Sequence, residues 1–304
     1  MRKFLNLTRR NCMVFLRDRS AVFFSLLSML IVLMLMGIFL GSMNVESVTD
    51  MLVKYGGIRD AALDLENAEH LVQYWTLAGL MVVNAVTVTL SVIGIMVDDG
   101  NENRLESFYS APVSKGLLAV SYVAAAVIIG TVFCMLTLTV SLVYIRADGG
   151  AVLPFAALAQ IVLYTLLNTG IFAVIMYLAA LFIKSSSAWS GVATVVGTLV
   201  GFVGAIYLPM GALPEGVAKV LKYIPVLHGT SLMRKLCCED ALAATFEGLP
   251  GEVVSGYREY MGIDIMMGTR NVGSRFQLLF LGICGMIALT AVILTARRKN
   301  ISDR

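Results

Sequence analysis

Charged residues are scarce in this 304-residue chain, at 14% of the sequence against about 25% in a typical soluble domain. Hydrophobic residues make up 58%, and the mean hydropathy is +0.84. This balance excludes a disordered chain, a nucleic-acid-binding protein and an ordinary cytosolic enzyme, because each of these carries more charge. The composition instead indicates a protein that spends most of its length in a membrane.

The few charges are unevenly placed, since six stretches contain no Asp, Glu, Lys or Arg. Each is at least 21 residues long, and a helix needs about 20 apolar residues to cross a bilayer core. The sequence therefore predicts an all-α polytopic membrane protein with six transmembrane helices, in preference to the buried helices of a large soluble core. The predicted spans are about 21–41, 72–97, 117–145, 152–183, 187–208 and 276–296.

Lys and Arg are biased towards one set of connecting segments. With both termini in the cytoplasm, the inner segments hold 13 basic and 6 acidic residues, and the outer ones hold 10 basic and 14 acidic residues. Basic residues near the ends of spans decide orientation, so we expect an N-in, C-in topology. The first apolar run is too long for the core of a cleaved signal, so none is expected.

The first twenty residues predict an interfacial helix ahead of the membrane domain. At 100° per residue, their basic side chains fall within one sector of about 120°, with apolar side chains opposite, as in helices that lie on a membrane surface. A plain basic flank is the alternative. The six-span domain then covers 21–304, with an inner loop at 98–115 and a large outer region at 209–275 that either dips into or lies on the outer leaflet.

The sequence lacks the residue patterns for ATP binding, for hydrolysis within the membrane and for ion-coupled transport. The chain has no Gly-x-x-x-x-Gly-Lys-Ser/Thr sequence for binding ATP, and its two histidines, His70 and His228, lie outside the spans, which disfavours an intramembrane hydrolase. The predicted spans hold no Asp, Glu, Lys or Arg, whereas ion-coupled carriers keep ionisable groups within the bilayer. These absences favour a membrane pathway whose energy comes from another protein.

The inner loop has the pattern of a short docking helix. Asp99-x-x-Glu102 resembles a capping box, three apolar residues share one helical face (Leu105, Phe108 and Tyr109), and Pro112 would end the helix. This apolar face with an acidic rim favours a contact with a soluble partner. An ordinary solvated loop is the alternative.

Two segments resemble the permeases of ABC-2 type transporters. In the inner loop the matching residues are Leu105-Glu106, Phe108-Tyr109 and Pro112 to Lys115, although Asn103-Arg104 replaces the Gly-Thr pair usual in that family. After the fifth predicted span the matches are Tyr207 to Pro214, Ile224 to His228, and Arg234. The order and spacing of these matches, the six-span topology and the surface helix extend the resemblance over nearly the whole chain.

The resemblance implies the membrane subunit of a bacterial ABC exporter in the plasma (inner) membrane. Two such permeases pair, with a homodimer expected here and a heterodimer left open, and they dock separate ATPase subunits, which bind the ATP and Mg²⁺. This chain would hold no cofactor, metal or catalytic group, and would contact membrane lipid but no nucleic acid. The residues expected to couple to the ATPase are Asn101, Glu102, Arg104, Leu105, Glu106, Phe108 and Tyr109.

Spans 1, 2 and 5 would face the dimer cavity by the same resemblance. The candidate path residues are uncharged and mildly polar, which suits an amphipathic or hydrophobic cargo such as a drug, a lipid-like compound or a peptide; they are Asn84, Thr87, Ser91, Thr194 and Thr198. Packing between helices is the alternative role for these small and polar residues. Two other functions stay open, a receptor or immunity-type subunit that binds an extracellular peptide through 209–275, and an uncoupled carrier.

Overall fold

Long helices form the body of the protein in the computed structural model, which describes residues 1–35, 41–105, 108, 113–268 and 270–302. A single turn of 3₁₀ helix (Met210–Ala212) and two short antiparallel strands, β1 (Met266–Met267) and β2 (Arg270–Asn271), also occur. In chain order the helices are α1 (Arg2–Arg17), α2 (Arg19–Leu35), α3 (Gly41–Tyr55), α4 (Ala61–Asn101), α5 (Lys115–Ala147), α6 (Phe155–Ala180), α7 (Ser186–Val203), α8 (Glu215–Leu221), α9 (Pro225–Cys237), α10 (Glu239–Thr245), α11 (Gly251–Tyr260) and α12 (Ser274–Ser302).

Five helices in the described part of the chain are long and apolar enough to cross a membrane, namely α4, α5, α6, α7 and α12. They correspond to predicted spans 2 to 6, and they confirm an all-α polytopic membrane protein. Predicted span 1 overlaps α2 over 21–35, its residues 36–40 lie outside the described part, and residue 41 begins α3. The count of six spans and the N-in, C-in orientation stay predictions.

Helix α4 forms the centre of the bundle. Most of its residues from Leu71 to Val97 are buried, because α5, α6, α7 and α9 pack around it, and the half-buried exceptions include Thr87 and Ser91. A helix that is apolar all round has no face for water, and it is stable only inside a core or a membrane. α7 and α12, by contrast, leave most of their apolar surface exposed in the single chain.

The segment between predicted spans 1 and 2 is largely helical. No helix is predicted for residues 46–70, which carry several charges, yet α3 and the first turns of α4 occupy most of them. Asp60 caps α4, since its carboxylate accepts the backbone N–H groups of Ala62 at 2.9 Å and Leu63 at 3.4 Å. The charges lie on amphipathic helices, so the periodicity of the apolar residues was the better guide.

Residues 204–273, which we call the interspan segment, are folded against the end of α4 that carries Trp75. Helix α9 is buried along nearly its whole length against α4, α6 and α12. Its buried Arg234 donates to the carbonyl oxygens of Ala205 at 2.7 Å, Met261 at 3.1 Å and Gly262 at 3.3 Å. Protein groups therefore shield this broken backbone, which is the condition for placing irregular structure at membrane depth.

Helix α1 packs against the opposite end of α4 and along α5. Its buried residues are Thr8, Asn11 and Phe15, and the ring of Phe15 meets that of Phe133 edge-on at 5.9 Å. Most of its basic residues are exposed, as the predicted amphipathic pattern requires. Arg10 differs from the others, because it turns inward to a carboxylate of α4.

Candidate functional site

The 98–115 segment begins inside α4. Helix α4 continues through Asp98 and Asp99 to Asn101, so the predicted capping box at Asp99 and Glu102 is wrong. The chain breaks instead at Asn103, whose φ of 59° lies in the left-handed region that asparagine tolerates better than most residues. Two acidic side chains therefore lie at the C-terminal end of a long helix, where the helix dipole disfavours negative charge.

The coupling candidates divide into an exposed and a half-buried group. Asn101, Glu102 and Arg104 are exposed, and Arg104 forms an ion pair with Glu102. Leu105 and Phe108 are helical and half-buried, because they pack against the protein's own core. Glu106 and Tyr109 lie outside the described residues. Part of the apolar face that was expected to contact a partner is thus already in contact with the helical bundle.

One buried carboxylate holds several segments together at this end of the bundle. Asp99 is completely buried, and it accepts a bond of 2.7 Å from Nη2 of Arg10 in α1 and one of 2.5 Å from the hydroxyl of Tyr122 in α5. Nη1 of Arg10 contacts the second carboxylate oxygen, and Nη1 of Arg104 lies 3.6 Å from Oδ1. The guanidinium carbon of Arg10 is also 5.4 Å from the centre of the Phe108 ring.

A cavity of about 610 Å³ opens beside this cluster. Helices α1, α2, α4 and α7 form its walls, and the start of the 98–115 segment forms its rim. The lining combines apolar and aromatic side chains with serine and threonine hydroxyls and several charged groups. The principal lining residues are Phe15, Asp18, Phe24, Ser25, Thr87, Leu90, Ser91, Gly94, Asp98, Asp99, Glu102, Arg104, Ser186, Trp189, Ser190, Ala193 and Gly197.

Comparison with known protein families matches residues 58–296 to the family described as "ABC-2 family transporter protein". The chain belongs to this family. This ABC-2 permease is therefore an integral membrane component of a transport system, and the family gives it no catalytic role of its own. A search of curated proteins gave no match.

The structure separates the path residues predicted on α4. Thr87 and Ser91 lie on the cavity wall of the permease. Asn84 lies on the same stripe of α4, but at its level α5 covers the helix, and the Asn84 amide donates to the Thr137 hydroxyl at 2.6 Å. Asn84 therefore joins α4 to α5 by a hydrogen bond and does not lie on the cavity wall.

The residues predicted on α7 lie next to the cavity rather than on its wall. Thr194 and Thr198 are exposed on the outer side of α7, and their hydroxyls donate to backbone carbonyls four residues earlier at 3.0 Å and 2.8 Å. These bonds satisfy the hydrogen-bond donor of each hydroxyl. Both threonines can therefore face either lipid or a second chain.

Sequence reasoning missed the stripe of α7 that does line the cavity. Its members recur every three or four residues and include one aromatic ring; they are Ser186, Trp189, Ser190, Ala193 and Gly197. That periodicity is visible in the sequence, and the indole of Trp189 could have marked the stripe. What the sequence could not provide was the rotation of α7 about its axis, which depends on its contact with Gly94 of α4.

The rim of the cavity carries an excess of negative charge. Three exposed carboxylates lie there, from Asp18, Asp98 and Glu102, against the exposed guanidinium of Arg104. Arg10 neutralises Asp99 from behind, and Asp98 accepts a bond of 2.6 Å from the Ser186 hydroxyl. The lining is therefore locally acidic near Asp98, which favours cations over anions inside the cavity mouth, while the exposed Arg17 and Arg19 beside Asp18 oppose this field outside it.

Proposed function

We propose that this chain is the membrane subunit of an ATP-driven exporter in the bacterial plasma membrane. Two copies pair and dock separate ATPase subunits on the side where α1 and the 98–115 segment lie, which is the cytoplasm. Cargo enters the cavity from that side and leaves at the end covered by the interspan segment, by alternating access. ATP hydrolysis takes place in the partner.

One observation carries this proposal, namely that the coupling segment and the cavity share residues. Asp98, Asp99, Glu102 and Arg104 belong to the segment expected to touch the ATPase, and they also line the cavity. A displacement of the segment therefore changes the shape of the cavity directly. No long relay through the bundle is needed between the two functions.

The cavity supports an amphipathic cargo that is neutral or cationic. Phe24, Leu90 and Trp189 offer apolar and aromatic surface, and Ser91 and Ser190 offer hydroxyl groups. The negative rim disfavours an anionic headgroup of the same size. A volume of about 610 Å³ lies within the usual range for cavities that enclose a drug-sized molecule.

The experiment that tests the proposal is a pull-down of the chain from its native membrane in mild detergent, with mass identification of what accompanies it. We expect a stoichiometric partner that carries a P-loop. Leu105→Asp should lose this partner, because a charge at this half-buried position displaces the docking segment from its place on the bundle. Leu105→Met keeps volume and polarity, so it should retain the partner and serves as the matched control, with membrane insertion checked for both.

The other outcomes point to other functions. Transport by the purified chain alone in liposomes would overturn the exporter in favour of an uncoupled carrier. Loss of peptide binding on deletion within 209–275, with no ATPase partner recovered, would indicate a receptor or immunity-type subunit.

The charge of the cargo can be tested with the recovered complex. We expect an alkyltrimethylammonium ion to stimulate its ATPase more strongly than an alkyl sulfate of the same chain length. Replacing the exposed Glu102 by Gln should narrow the difference. Equal stimulation by the two probes would contradict the assignment of a neutral or cationic cargo.

A further inference from the structure

The position of Asp99 is unfavourable unless other parts of the chain compensate it. The residue is completely buried, and a carboxylate loses several kcal/mol of hydration on burial. It also lies in the last turn of α4, which contains no basic residue, so the helix dipole adds to the cost. The carboxylate therefore depends on cations and donors brought from other segments.

Those groups come from three different places in the fold. Arg10 of α1 binds both carboxylate oxygens in the forked geometry that makes arginine the strongest partner for a carboxylate, with the Nη2 to Oδ1 distance at 2.7 Å. Tyr122 of α5 donates at 2.5 Å. Arg104, beyond the break at Asn103, contributes a third, more distant cation at 3.6 Å.

Arg10 also makes contacts on its other sides. Its guanidinium lies over the ring of Phe108, 5.4 Å from the ring centre, which places a cation against the coupling segment itself. It donates to the Asn11 side chain at 3.0 Å, and Asn11 in turn donates to Ser121 of α5 at 3.4 Å. α1 is thus joined to α4 and to the coupling segment through Arg10, and to α5 through the neighbouring Asn11.

The same helix forms part of the cavity wall. Val14 and Phe15 of α1 line the cavity one turn beyond Arg10, and Asp18 follows at its rim. A movement of α1 that follows the coupling segment would therefore displace one side of the cavity. The geometry shows two routes from the segment to the cavity, one through its own residues and one through Arg10 and α1.

We propose that Arg10 and Asp99 are positioning residues for energy coupling, which tie α1 to the 98–115 segment so that the two move as one unit when the ATPase displaces the segment. This inference rests on the proposed function. A purely structural ion pair would affect only the amount and stability of the protein. A positioning pair affects how far ATP binding in the partner changes the cavity.

The test uses a reporter in the cavity, because the cargo is not identified. Ser91→Cys lines the cavity, and Cys12 and Cys284, the half-exposed native thiols, are replaced by Ser. The complex with the recovered ATPase is labelled with a small water-soluble maleimide, with and without ATP and vanadate. The ratio of the two labelling rates measures coupling, and the ATPase rate and thermal stability are recorded in parallel.

The variants are Arg10→Gln, Asp99→Asn and the double variant, with Arg9→Gln as control, since Arg9 is an exposed neighbour on the same helix. We expect each single variant to reduce the ATP-dependent change in labelling rate by about fivefold or more. Fivefold corresponds to the lower end of typical coupling energies between sites. The double variant should be no worse than the more affected single variant, because both act through one contact. Arg10→Lys keeps the positive charge but cannot bind both carboxylate oxygens as the guanidinium does, so it should recover part of the ATP-dependent change in labelling. Arg9→Gln should respond as the unmodified chain does.

The outcomes separate this inference from the proposed function. An unmodified reporter that does not respond to ATP, or the absence of an ATPase partner, would overturn the proposed function. A reporter that responds normally in Arg10→Gln and Asp99→Asn, with only stability reduced, would overturn the positioning role alone. If Arg10→Gln does not fold because it strands the carboxylate, Asp99→Asn and the double variant decide, since neither contains a buried unpaired anion.

Discussion

Arg234 is fully buried, and within the described part of the chain its partners are carbonyl oxygens and a ring rather than a carboxylate. Besides the carbonyls of Ala205, Met261 and Gly262, its guanidinium carbon lies 4.2 Å from the centre of the Trp75 ring. Burial lowers the pKa of Arg234 to about 9, which still leaves it protonated at neutral pH. One cation thus holds the end of α7, α9, α4 and the turn after α11 together.

Removing this cation should destabilise the interspan segment. Arg234→Met preserves much of the volume but leaves the carbonyl of Ala205 without its donor, so we expect a loss of about 2–4 kcal/mol in unfolding free energy. Thermal unfolding in detergent measures the loss. Lys219→Met removes an exposed cation from the neighbouring α8 and should have little effect. Equal stability of the two variants would contradict this role for Arg234.

His228 gives the same region a sensitivity to acid. Burial lowers the pKa of His228 from its ordinary value of 6.5, and the charge of Lys235 adds to this, while a bond of 2.9 Å to the Lys222 carbonyl opposes it. The unfolded chain therefore binds a proton near pH 6.5 that the folded chain accepts only at a lower pH. Unfolding takes up a proton between these values, so stability is complete above pH 6.5 and falls below it.

We expect thermal stability in detergent to decline below pH 6.5, with a contribution from His228 of up to about 1.4 kcal/mol per pH unit. His228→Gln removes the titrating group and should flatten this decline, even if it lowers stability at neutral pH. His70→Gln changes the other histidine and should leave the decline in place. An unchanged pH profile in His228→Gln would show that the acid sensitivity arises elsewhere.

At the scale of elements, the crossing of α4 and α7 depends on a glycine. A Cβ at Gly94 would lie 2.7 Å from the indole Nε1 of Trp189, closer than real side chains approach. The missing side chain lets the buried indole lie against α4 at the base of the cavity. This contact sets the rotation of α7, and with it the residues that line the cavity.

Gly94→Ala should therefore displace Trp189. We expect either a loss of about 1–3 kcal/mol from overpacking or a narrower cavity, if the indole swings into it. Gly191→Ala is the matched control, because a Cβ there meets no atom within 4 Å, and it should be neutral or slightly stabilising. Thermal stability and the labelling rate of Ser91→Cys report on the two effects. Adding Trp189→Phe, which removes the indole nitrogen, should recover part of the loss.

Elements bounded by local signals could be predicted closely from the sequence. Helix α5 begins and ends within about two residues of its predicted span, because the charges of Lys115 and Arg146 mark both ends. The helices within 46–70 were missed, since amphipathic helices with charges resemble loops when only charge is counted.

The direction of Thr87 towards the cavity and of Asn84 towards Thr137 depends on where α5 lies. The Arg10 to Asp99 pair joins residues 89 positions apart, and no local pattern reveals it.

At the scale of the whole molecule, two helices leave large surfaces uncovered, and the two surfaces differ in chemistry. The exposed side of α12 is almost entirely long aliphatic side chains such as Leu279, Ile283 and Ile287, which suits lipid chains. The exposed side of α7 carries large apolar residues as well (Val195, Leu199 and Phe202), but it adds the hydroxyls of Thr194 and Thr198 and the small Gly191, residue types common where helices meet inside a membrane. α7 is therefore the better candidate for the contact between two copies of the chain.

A cross-linking experiment in the native membrane tests this arrangement. With the half-exposed Cys12 and Cys284 replaced by Ser, Thr198→Cys should form an intermolecular disulfide on mild oxidation, because the two α7 helices face each other across the proposed dimer. Ile287→Cys places an equally accessible thiol on α12 and should stay monomeric, since that side faces lipid. Dimers from Ile287→Cys and none from Thr198→Cys would reverse the assignment of the two surfaces. Such a result would also place the exposed side of α7, and the cavity beside it, on the outside of the pair.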